Sequence, residues 1–360
     1  MRKRKPGILD VAQRAGVSRS TVSLVLNASA VPSEAVRERV QQAVRELGYT
    51  PDPVARSLRR GTGRGAGSRA RTGVIAFVIA KDVFLRGAHK SWTLMQPLAL
   101  AIQQAAERRE VVAVHLYDRD RDGPLCLPVG DLNADGVLGQ VLDLEVAFGL
   151  QADLPVVLYN SQFDPLRPIP TVNLDERGAI RRIVHHLAEL GHRRVGYFRA
   201  HGGTQNWQLD LREEAFDRAR ADLGLHEPEG FKRRWPVSPE THGEVTRAFA
   251  AEAAKAARAG ALTALVCPGD VYAFDVAVEL AQAGLRVPED LSLTGFDDNP
   301  EPRGWAGPGL TTVRYPVASM LRSAMDLLNA LIERRIERVG ETLLTPELLV
   351  RESTCAPRKT

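Results

Sequence analysis

The feature that most constrains this chain is a helical pattern near its start, in residues 8–27. Apolar residues recur at helical spacing up to Ala15, and Gly16 follows, a residue that turns at positive φ without steric cost. Ser18 is a predicted N-cap, because its hydroxyl can accept a hydrogen bond from an unpaired amide of a following helix. Val22 starts the apolar face of that second helix. The pattern therefore predicts two short helices joined by a tight turn.

The polar face of the second helix is the predicted DNA-reading surface, because a helix-turn-helix places the early residues of that helix against base edges in the major groove. The predicted contacts are Arg19, Ser20, Thr21, Ser23 and Asn27. The alternative is an ordinary helical hairpin with a solvated polar face. Two neighbouring features favour DNA binding. One is a basic arm at residues 2–5, and the other is a third amphipathic helix, predicted over 33–47, that can close a small core.

Charge is distributed unevenly along the 360 residues. Residues 1–72 hold 15 Lys and Arg against 5 Asp and Glu, a net charge of +10, whereas the whole chain carries +4. The remainder is therefore acidic, with a net charge of −6. A basic headpiece on an acidic body is typical of a nucleic-acid-binding protein with a separate sensing domain.

The sequence does not support several other protein classes. Its three cysteines are far apart and form no Cys-x-x-Cys motif, which favours neither a disulfide framework nor a zinc site. No segment has the length and apolarity of a membrane span, and an amphipathic helix rather than a signal-peptide core follows the basic start. Gly-x-Ser-x-Gly, phosphate-loop and His-Glu-x-x-His motifs are absent. We therefore expect a cytoplasmic, nucleoid-associated protein without catalytic residues, metal ligands or cofactor.

Beyond residue 72, predicted strands and helices alternate, which indicates parallel sheets with right-handed crossovers. The predicted strands lie at 73–80, 111–117, 136–139, 155–160, 194–199, 263–268 and 291–296. The predicted helices lie at 95–109, 176–190, 209–223, 240–258, 271–284 and 317–335. The chain has more strand–helix units than one parallel sheet usually contains, so we expect two α/β subdomains. Their ligand cleft should lie at the carboxyl ends of the strands.

Several motifs carry a resemblance to a known family. Near the start they are Asp10-Val11-Ala12, Ala15-Gly16-Val17-Ser18, Thr21-Val22-Ser23, Leu26-Asn27 and Leu47-Gly48-Tyr49. In the body they include Leu190-Gly191-His192-Arg193-Arg194-Val195 and the segments 284–298 and 310–316. Together they resemble the lactose/galactose repressor (LacI/GalR) family over nearly the whole chain.

The resemblance implies an all-α helix-turn-helix headpiece at 1–50, a hinge helix and Gly/Arg-rich linker at 51–72, and an effector domain at 73–360. That domain is expected to be an α/β periplasmic-binding-protein-like fold of two parallel-sheet subdomains, and the protein a homodimer. The hinge helix would insert Leu58, with Ala55 one turn earlier, into the minor groove of DNA; the alternative is a plain linker. Residues 59–72 are longer than usual in the family and carry five arginines. These either contact phosphates or are a compositional expansion with no role.

Four polar residues match ligand-contacting positions of the resembled family and fall near the ends of predicted strands or the start of a helix. They are Asn160, Arg212, Asp270 and Asp297. Carboxylates and an arginine that converge on a cleft suit hydrogen bonding to hydroxyls or to a carboxylate. The alternative is that each caps a helix or pairs with a neighbour. Asp270 is the strongest candidate for a cap, at the helix predicted from Val271.

We therefore predict a sequence-specific transcriptional regulator, a repressor, that binds palindromic operator DNA as a homodimer. A sugar-like or nucleoside-like effector in the cleft would control its operator affinity, through linkage between the two binding sites. The alternative is a solute-binding protein of the same fold with a vestigial headpiece.

Replacing Arg19 by alanine is expected to weaken specific DNA binding by about 1–3 kcal/mol, because the guanidinium can read a guanine through two hydrogen bonds. Titrations with a specific duplex and with a random duplex, at one salt concentration, measure this loss. An equal loss on both duplexes would show that Arg19 contacts phosphate alone.

Overall fold

The computed structural model describes residues 8–18, 21, 22, 25, 33–47, 71–80, 92–117, 134–140, 144–151, 154–202, 207–238, 240–336 and 340–358. The predicted DNA contacts that lie outside these residues are Arg19, Ser20, Ser23, Asn27, Ala55 and Leu58. Most of the predicted hinge and linker, residues 51–70, also lies outside them.

The described elements overlap every strand and helix predicted beyond residue 72, and the first and third predicted helices of the headpiece. Most of the predicted second helix, and the whole of the predicted hinge helix, lie outside the described residues. The helices are α1 (Ile8–Ala15), α2 (Glu34–Leu47), α3 (Trp92–Glu107), α4 (Leu144–Gln151), α5 (Glu176–Glu189), α6 (Trp207–Asp222), α7 (His242–Arg258), α8 (Asp270–Gln282) and α9 (Val317–Ile332). The strands are β1 (Val74–Ala80), β2 (Val111–Tyr117), β3 (Gly136–Gln140), β4 (Val156–Tyr159), β5 (Thr171–Leu174), β6 (Val195–Tyr197), β7 (Ala200–Gly202), β8 (Trp235–Val237), β9 (Ala264–Val266), β10 (Ser292–Thr294), β11 (Thr312–Arg314), β12 (Glu341–Leu344) and β13 (Glu347–Leu349). The sequence patterns missed α4 and the short strands β5, β7, β8 and β11 to β13.

The first subdomain contains a six-stranded parallel sheet in the order β12-β5-β4-β3-β1-β2. Its central strands β1, β3 and β4 are buried on both faces, as expected for a parallel sheet covered on both sides by helices. Along β1, Ile75 and Phe77 pack on the side of α3 and α9, whereas Ala76 and Val78 pack on the side of α4. The continuous apolar run in β1 is therefore explained by burial on two sides.

The second subdomain contains the parallel sheet β10-β9-β6, also covered on both faces. One core includes residues of α7 and α8, and the other includes residues of α5 and α6. The antiparallel pair β11–β13 joins this subdomain through the bridges Thr294–Thr311 and Asp297–Arg314.

The predicted pair of parallel-sheet subdomains is confirmed, but neither is continuous in sequence. The chain leaves the first sheet after β5, and α5 packs in the second subdomain. It returns when α9 packs on the first sheet and β12 pairs with β5, and β13 then pairs with β11. The two subdomains are therefore joined by several crossings rather than by one linker.

Leu328 tests how tightly α9 packs on the first sheet. It is fully buried, and a Cβ added to Gly136 of β3 would lie 2.9 Å from its Cδ1 atom. Leu328→Ala is expected to lower the free energy of unfolding by about 2–5 kcal/mol, because the cavity cannot close against a sheet. Urea unfolding followed by circular dichroism measures this. The control Leu343→Ala, on an exposed position of β12, should change stability by less than about 0.5 kcal/mol; equal losses would contradict the packing.

Candidate functional site

The described part of the headpiece, residues 8–18, 21, 22, 25 and 33–47, is held together by a small apolar core. The buried residues of this core are Val11, Ala12, Ala15, Val22, Val40 and Ala43. On its surface, Arg14 of α1 forms an ion pair of 2.5 Å with Glu46 of α2. Because Val22 belongs to this core, the start of the second helix is fixed against α1, as a helix-turn-helix requires.

The turn between the first two helices has the predicted geometry. Gly16 has a φ of 62°, and the Ser18 hydroxyl accepts a hydrogen bond of 3.1 Å from the amide of Thr21. The predicted turn and N-cap are therefore confirmed. The Thr21 hydroxyl lies 2.8 Å from that of Ser18, so it takes part in the cap. Its contact with DNA stays a prediction.

A cleft of about 1160 Å³ lies between the two subdomains. Residues of the first subdomain that line it include Gln96, Gln140, Tyr159, Val317 and Met320. Residues that line it from the second include Gln208, Arg212, Ser238, His242, Tyr272 and Asp297. Its position at the carboxyl ends of parallel strands is the one predicted from the sequence. Of the four predicted effector contacts, the structure brings three to its wall: Asn160, Arg212 and Asp297.

Arg212 lies in α6, and its side chain is buried. Its Nε and Nη2 atoms donate to Glu176 at 2.7 and 3.3 Å, and Nη1 donates to the carbonyl of Pro268 at 2.5 Å. The guanidinium also lies 3.6 Å from the centre of the Phe296 ring. Burial by itself lowers the pKa of Arg212, but Glu176 and Asp297 more than offset this and raise it. Arg212 is therefore a fixed, fully partnered cation in the cleft wall.

Asp297 follows β10 and faces the cleft, with 27% of its side chain exposed. Its φ of 111° is unusual for a residue with a side chain. The bridge to β11 holds this conformation, because the Asp297 amide donates to the Val313 carbonyl at 2.9 Å. Oδ1 is 3.6 Å from Nη2 of Arg212. Burial raises the pKa of Asp297 to about 7, opposed by Arg212 and reinforced by Asp270 and Glu176.

Asn160 follows β4 directly, and its side chain connects the two walls of the cleft. It has a φ of 48°, which asparagine tolerates better than most residues. Its Oδ1 atom accepts hydrogen bonds from Gln208 Nε2 at 2.8 Å and from the Tyr315 hydroxyl at 2.5 Å. Gln208 belongs to α6, so this amide connects a strand of the first subdomain with a helix of the second.

Asp270 does not line the cleft, and the proposed helix cap at this residue is wrong. The helix begins at Asp270 itself, with Gly269 in the cap position and no side-chain cap bond. The carboxylate, which is 1% exposed, instead accepts hydrogen bonds from Thr312 Oγ1 at 2.6 Å and from the Asn299 amide at 2.7 Å. Burial raises its pKa to about 6, although both hydrogen bonds lower it. Asp270 thus joins α8 to the loop after β10 and to β11.

Sequence reasoning missed several residues of the cleft. Glu176, the partner of Arg212, resembles an ordinary acidic residue in the first turn of a helix, and nothing local marks it as buried. Tyr315 lies in the family motif 310–316, but its contact with Asn160 spans 155 positions. His242 forms a 2.6 Å contact with Asp275 and packs against the Tyr272 ring, with 5.2 Å between ring centres. The sequence near His242 predicted a helix that starts at residue 240, but no functional role for this histidine.

In the part of the chain that the structure describes, no group of three or more His, Cys, Asp and Glu side chains could hold a metal ion. No helix among the same residues has the length and apolarity to cross a membrane.

Known proteins match both parts of the chain. Residues 7–52 match bacterial regulatory proteins of the lacI family, and residues 184–354 match a periplasmic binding protein-like domain. The chain is 33% identical over 355 residues to the HTH-type transcriptional regulator in the aml 5′ region of Streptomyces limosus, covering 97% of this chain and 94% of the relative. It is 29% identical to the HTH-type transcriptional repressor CytR of Escherichia coli strain K12, covering 96% of each.

Among solved structures, the lac repressor dimer bound to operator and the anti-inducer ONPF superposes with a TM-score of 0.70 at 23% identity. The match covers 98% of this chain and 100% of that chain. It shows a shared fold, from the headpiece to the end of the second subdomain.

The pKa of Asp297 makes the stability of the unliganded protein depend on pH. Because this pKa, about 7, lies above the ordinary value of 3.8, protonated Asp297 stabilises the folded state. That contribution is complete below the ordinary pKa and is lost as the pH rises through about 7. Asp297→Asn should therefore lose less stability than the wild type between about pH 6 and pH 8, measured by urea unfolding. The surface variant Asp326→Asn is the control; a wild-type slope retained in Asp297→Asn would refute the assignment.

Proposed function

The chain belongs to the LacI family of bacterial regulatory proteins, and we propose that it represses transcription under the control of a small molecule bound in the cleft. The observation that carries this proposal is the presence, in one chain, of a capped helix-turn-helix and of a cleft whose walls come from two subdomains. An occupant that contacts both walls changes their relative arrangement. If DNA and occupant prefer different arrangements, each weakens the binding of the other by the same factor.

The solute-binding alternative is not favoured. It treats the headpiece as vestigial, whereas the described headpiece keeps a formed core and a formed N-cap. The relatives that match along the whole chain are transcriptional regulators. The chain is accordingly a regulator and not an enzyme.

The proposed contacts of the second helix with DNA are supported by the packing of Val22 against α1. Residues Arg19, Ser20, Thr21, Ser23 and Asn27 of the second helix would read the major groove, and Ala55 and Leu58 would enter the minor groove. The headpiece would span 1–50, the hinge and linker 51–72 and the effector domain 73–360. The protein would act in the cytoplasm, at the nucleoid.

The cleft favours a neutral, hydroxyl-rich effector, sugar-like or nucleoside-like. Its described cations already contact carboxylates: Arg212 binds Glu176, and Arg314 donates to Asp298 and Glu347, each at 2.9 Å. An anionic ligand would have to displace these partners. The carboxylate of Asp297 instead accepts hydrogen bonds, which hydroxyl groups donate.

Dimerisation is supported by apolar side chains at one edge of the first sheet. Val111, Val114 and Leu116 of the edge strand β2, and Ile102 of α3, are between 42% and 63% exposed. Apolar side chains exposed together mark interaction surfaces. A homodimer that uses this edge would present two headpieces to a palindromic operator.

Selection of binding sites from random duplex DNA, at near-physiological salt, tests the proposal. A two-fold symmetric site with half-sites about one helical turn apart is the expected result for a dimer. The selected duplex then serves in a screen of neutral sugars and nucleosides for compounds that change its affinity. A protein that enriches no sequence, with or without these compounds, would refute the proposal.

Leu58→Ala tests the minor-groove contact. The variant should bind the selected duplex more weakly while its affinity for random DNA stays nearly unchanged, because an inserted side chain kinks the duplex in the specific complex. Paired titrations on both duplexes measure this. If both affinities fall together, Leu58 is not such a wedge.

A further inference from the structure

Arg71 anchors the end of the linker to the first subdomain. Its Nη2 atom donates to Glu110 Oε1 at 2.9 Å and to Asn329 Oδ1 at 3.4 Å. Its Nη1 atom lies 3.5 Å from Glu333 Oε1, and its Nε atom lies 3.8 Å from Asp135 Oδ2. We call this set of contacts the Arg71 anchor. It joins the linker end to the turn before β2, the turn before β3 and the end of α9.

The two residues after Arg71 are held by the same carboxylate. The amides of Thr72 and Gly73 donate to Asp135 at 2.6 and 2.8 Å. The chain is therefore fixed from Arg71 onward, immediately before β1. Any motion of the anchor would move the point at which the linker ends.

The Arg71 anchor and the cleft lie at opposite ends of α9. Val317 and Met320, at the start of the helix, line the cleft. Asn329 and Glu333, at its end, contact Arg71. The helix has 16 residues, so it spans about 24 Å. Since its buried face packs on the first sheet along its length, a displacement of the first turn carries to the last.

The charges make the Arg71 anchor sensitive to the loss of its guanidinium. The Glu110 and Asp135 side chains are only 8% and 6% exposed, and Oε2 of Glu110 has no hydrogen-bond partner in the part of the chain described. Burial raises the pKa of Glu110, although Arg71 and Arg108 lower it. The negative end of the α9 dipole also attracts the guanidinium. Removing Arg71 leaves buried carboxylates without their nearest cation, so the anchor should open.

We propose that Arg71 is a positioning residue that couples the cleft to the DNA-binding headpiece through α9. Occupation of the cleft shifts the first turn of α9, the helix transmits this shift to Asn329 and Glu333, and Arg71 passes it to the linker. This inference rests on the proposed function. By linkage, specific DNA must in turn change the cleft end of α9.

Hydrogen exchange of the full-length protein tests this without an effector. The amides of Val317 and Met320 donate to the carbonyls of Tyr315 and Pro316, so their exchange reports opening of the first turn of α9. The selected duplex, compared with a scrambled duplex, is expected to change their exchange rates about fivefold or more in the wild type. Arg71→Ala should lose this change, and Arg71→Lys should recover part of it.

The matched control is Arg108→Ala, because Arg108 forms an ion pair with Asp326 on the same helix and, among the described residues, makes no hydrogen bond to the Arg71 anchor. It should keep the wild-type response. The amide of Val245 in α7 should exchange alike in all variants, which separates lost coupling from general destabilisation. If Arg71→Ala folds poorly, Glu333→Gln, at the exposed end of the anchor, should show a partial loss.

Two results would overturn the inference alone. In the first, Arg71→Ala or Glu333→Gln keeps the full response; in the second, the wild type binds the selected duplex specifically but shows no change at Val317 and Met320. A wild type that does not distinguish the two duplexes would instead overturn the proposed function, and this inference with it.

Discussion

One wall of the cleft depends on the buried ion pair between Arg212 of α6 and Glu176 of α5. A buried charge is tolerated when it is paired and hydrogen-bonded, and each of the three guanidinium nitrogens of Arg212 donates a hydrogen bond. The same guanidinium contacts the carbonyl of Pro268 after β9 and the ring of Phe296 after β10. One side chain therefore fixes two helices relative to the ends of two strands.

This pairing also determines the chemistry that the cleft offers. Because Glu176 takes the short contacts of Arg212, Asp297 keeps a contact of only 3.6 Å with it. A partly exposed carboxyl with a raised pKa then remains as a hydrogen-bond acceptor. The hydrogen bonds of Asn160 with Gln208 and Tyr315 connect the two walls of the cleft, so an occupant that displaced them would act on both subdomains.

Helix α9 extends these effects beyond the cleft. It begins at the cleft wall, packs along the first sheet and ends beside Arg71. A helix with a buried face of this length resists bending, since each displaced side chain would open a void in a close-packed core. A single helix thus runs from the cleft wall to the residues that hold the end of the linker.

The sequence by itself determined the elements whose signals are local. Gly16 and Ser18 specify a turn and a cap within a few residues, and apolar runs such as Val74–Ala80 specify buried strands. The family motifs indicated the cleft and three residues of its wall. Tertiary structure alone decided the rest: β12 and β13 are short and stable only through distant partners, and Glu176 becomes a core residue because Arg212, 36 positions later, folds against it. Likewise, Asp270 looked like a helix cap in sequence, but Thr312 and Asn299 hold its carboxylate away from the cleft. Local patterns encode backbone conformation, whereas the partner of a buried charge is set by packing between segments far apart in the chain.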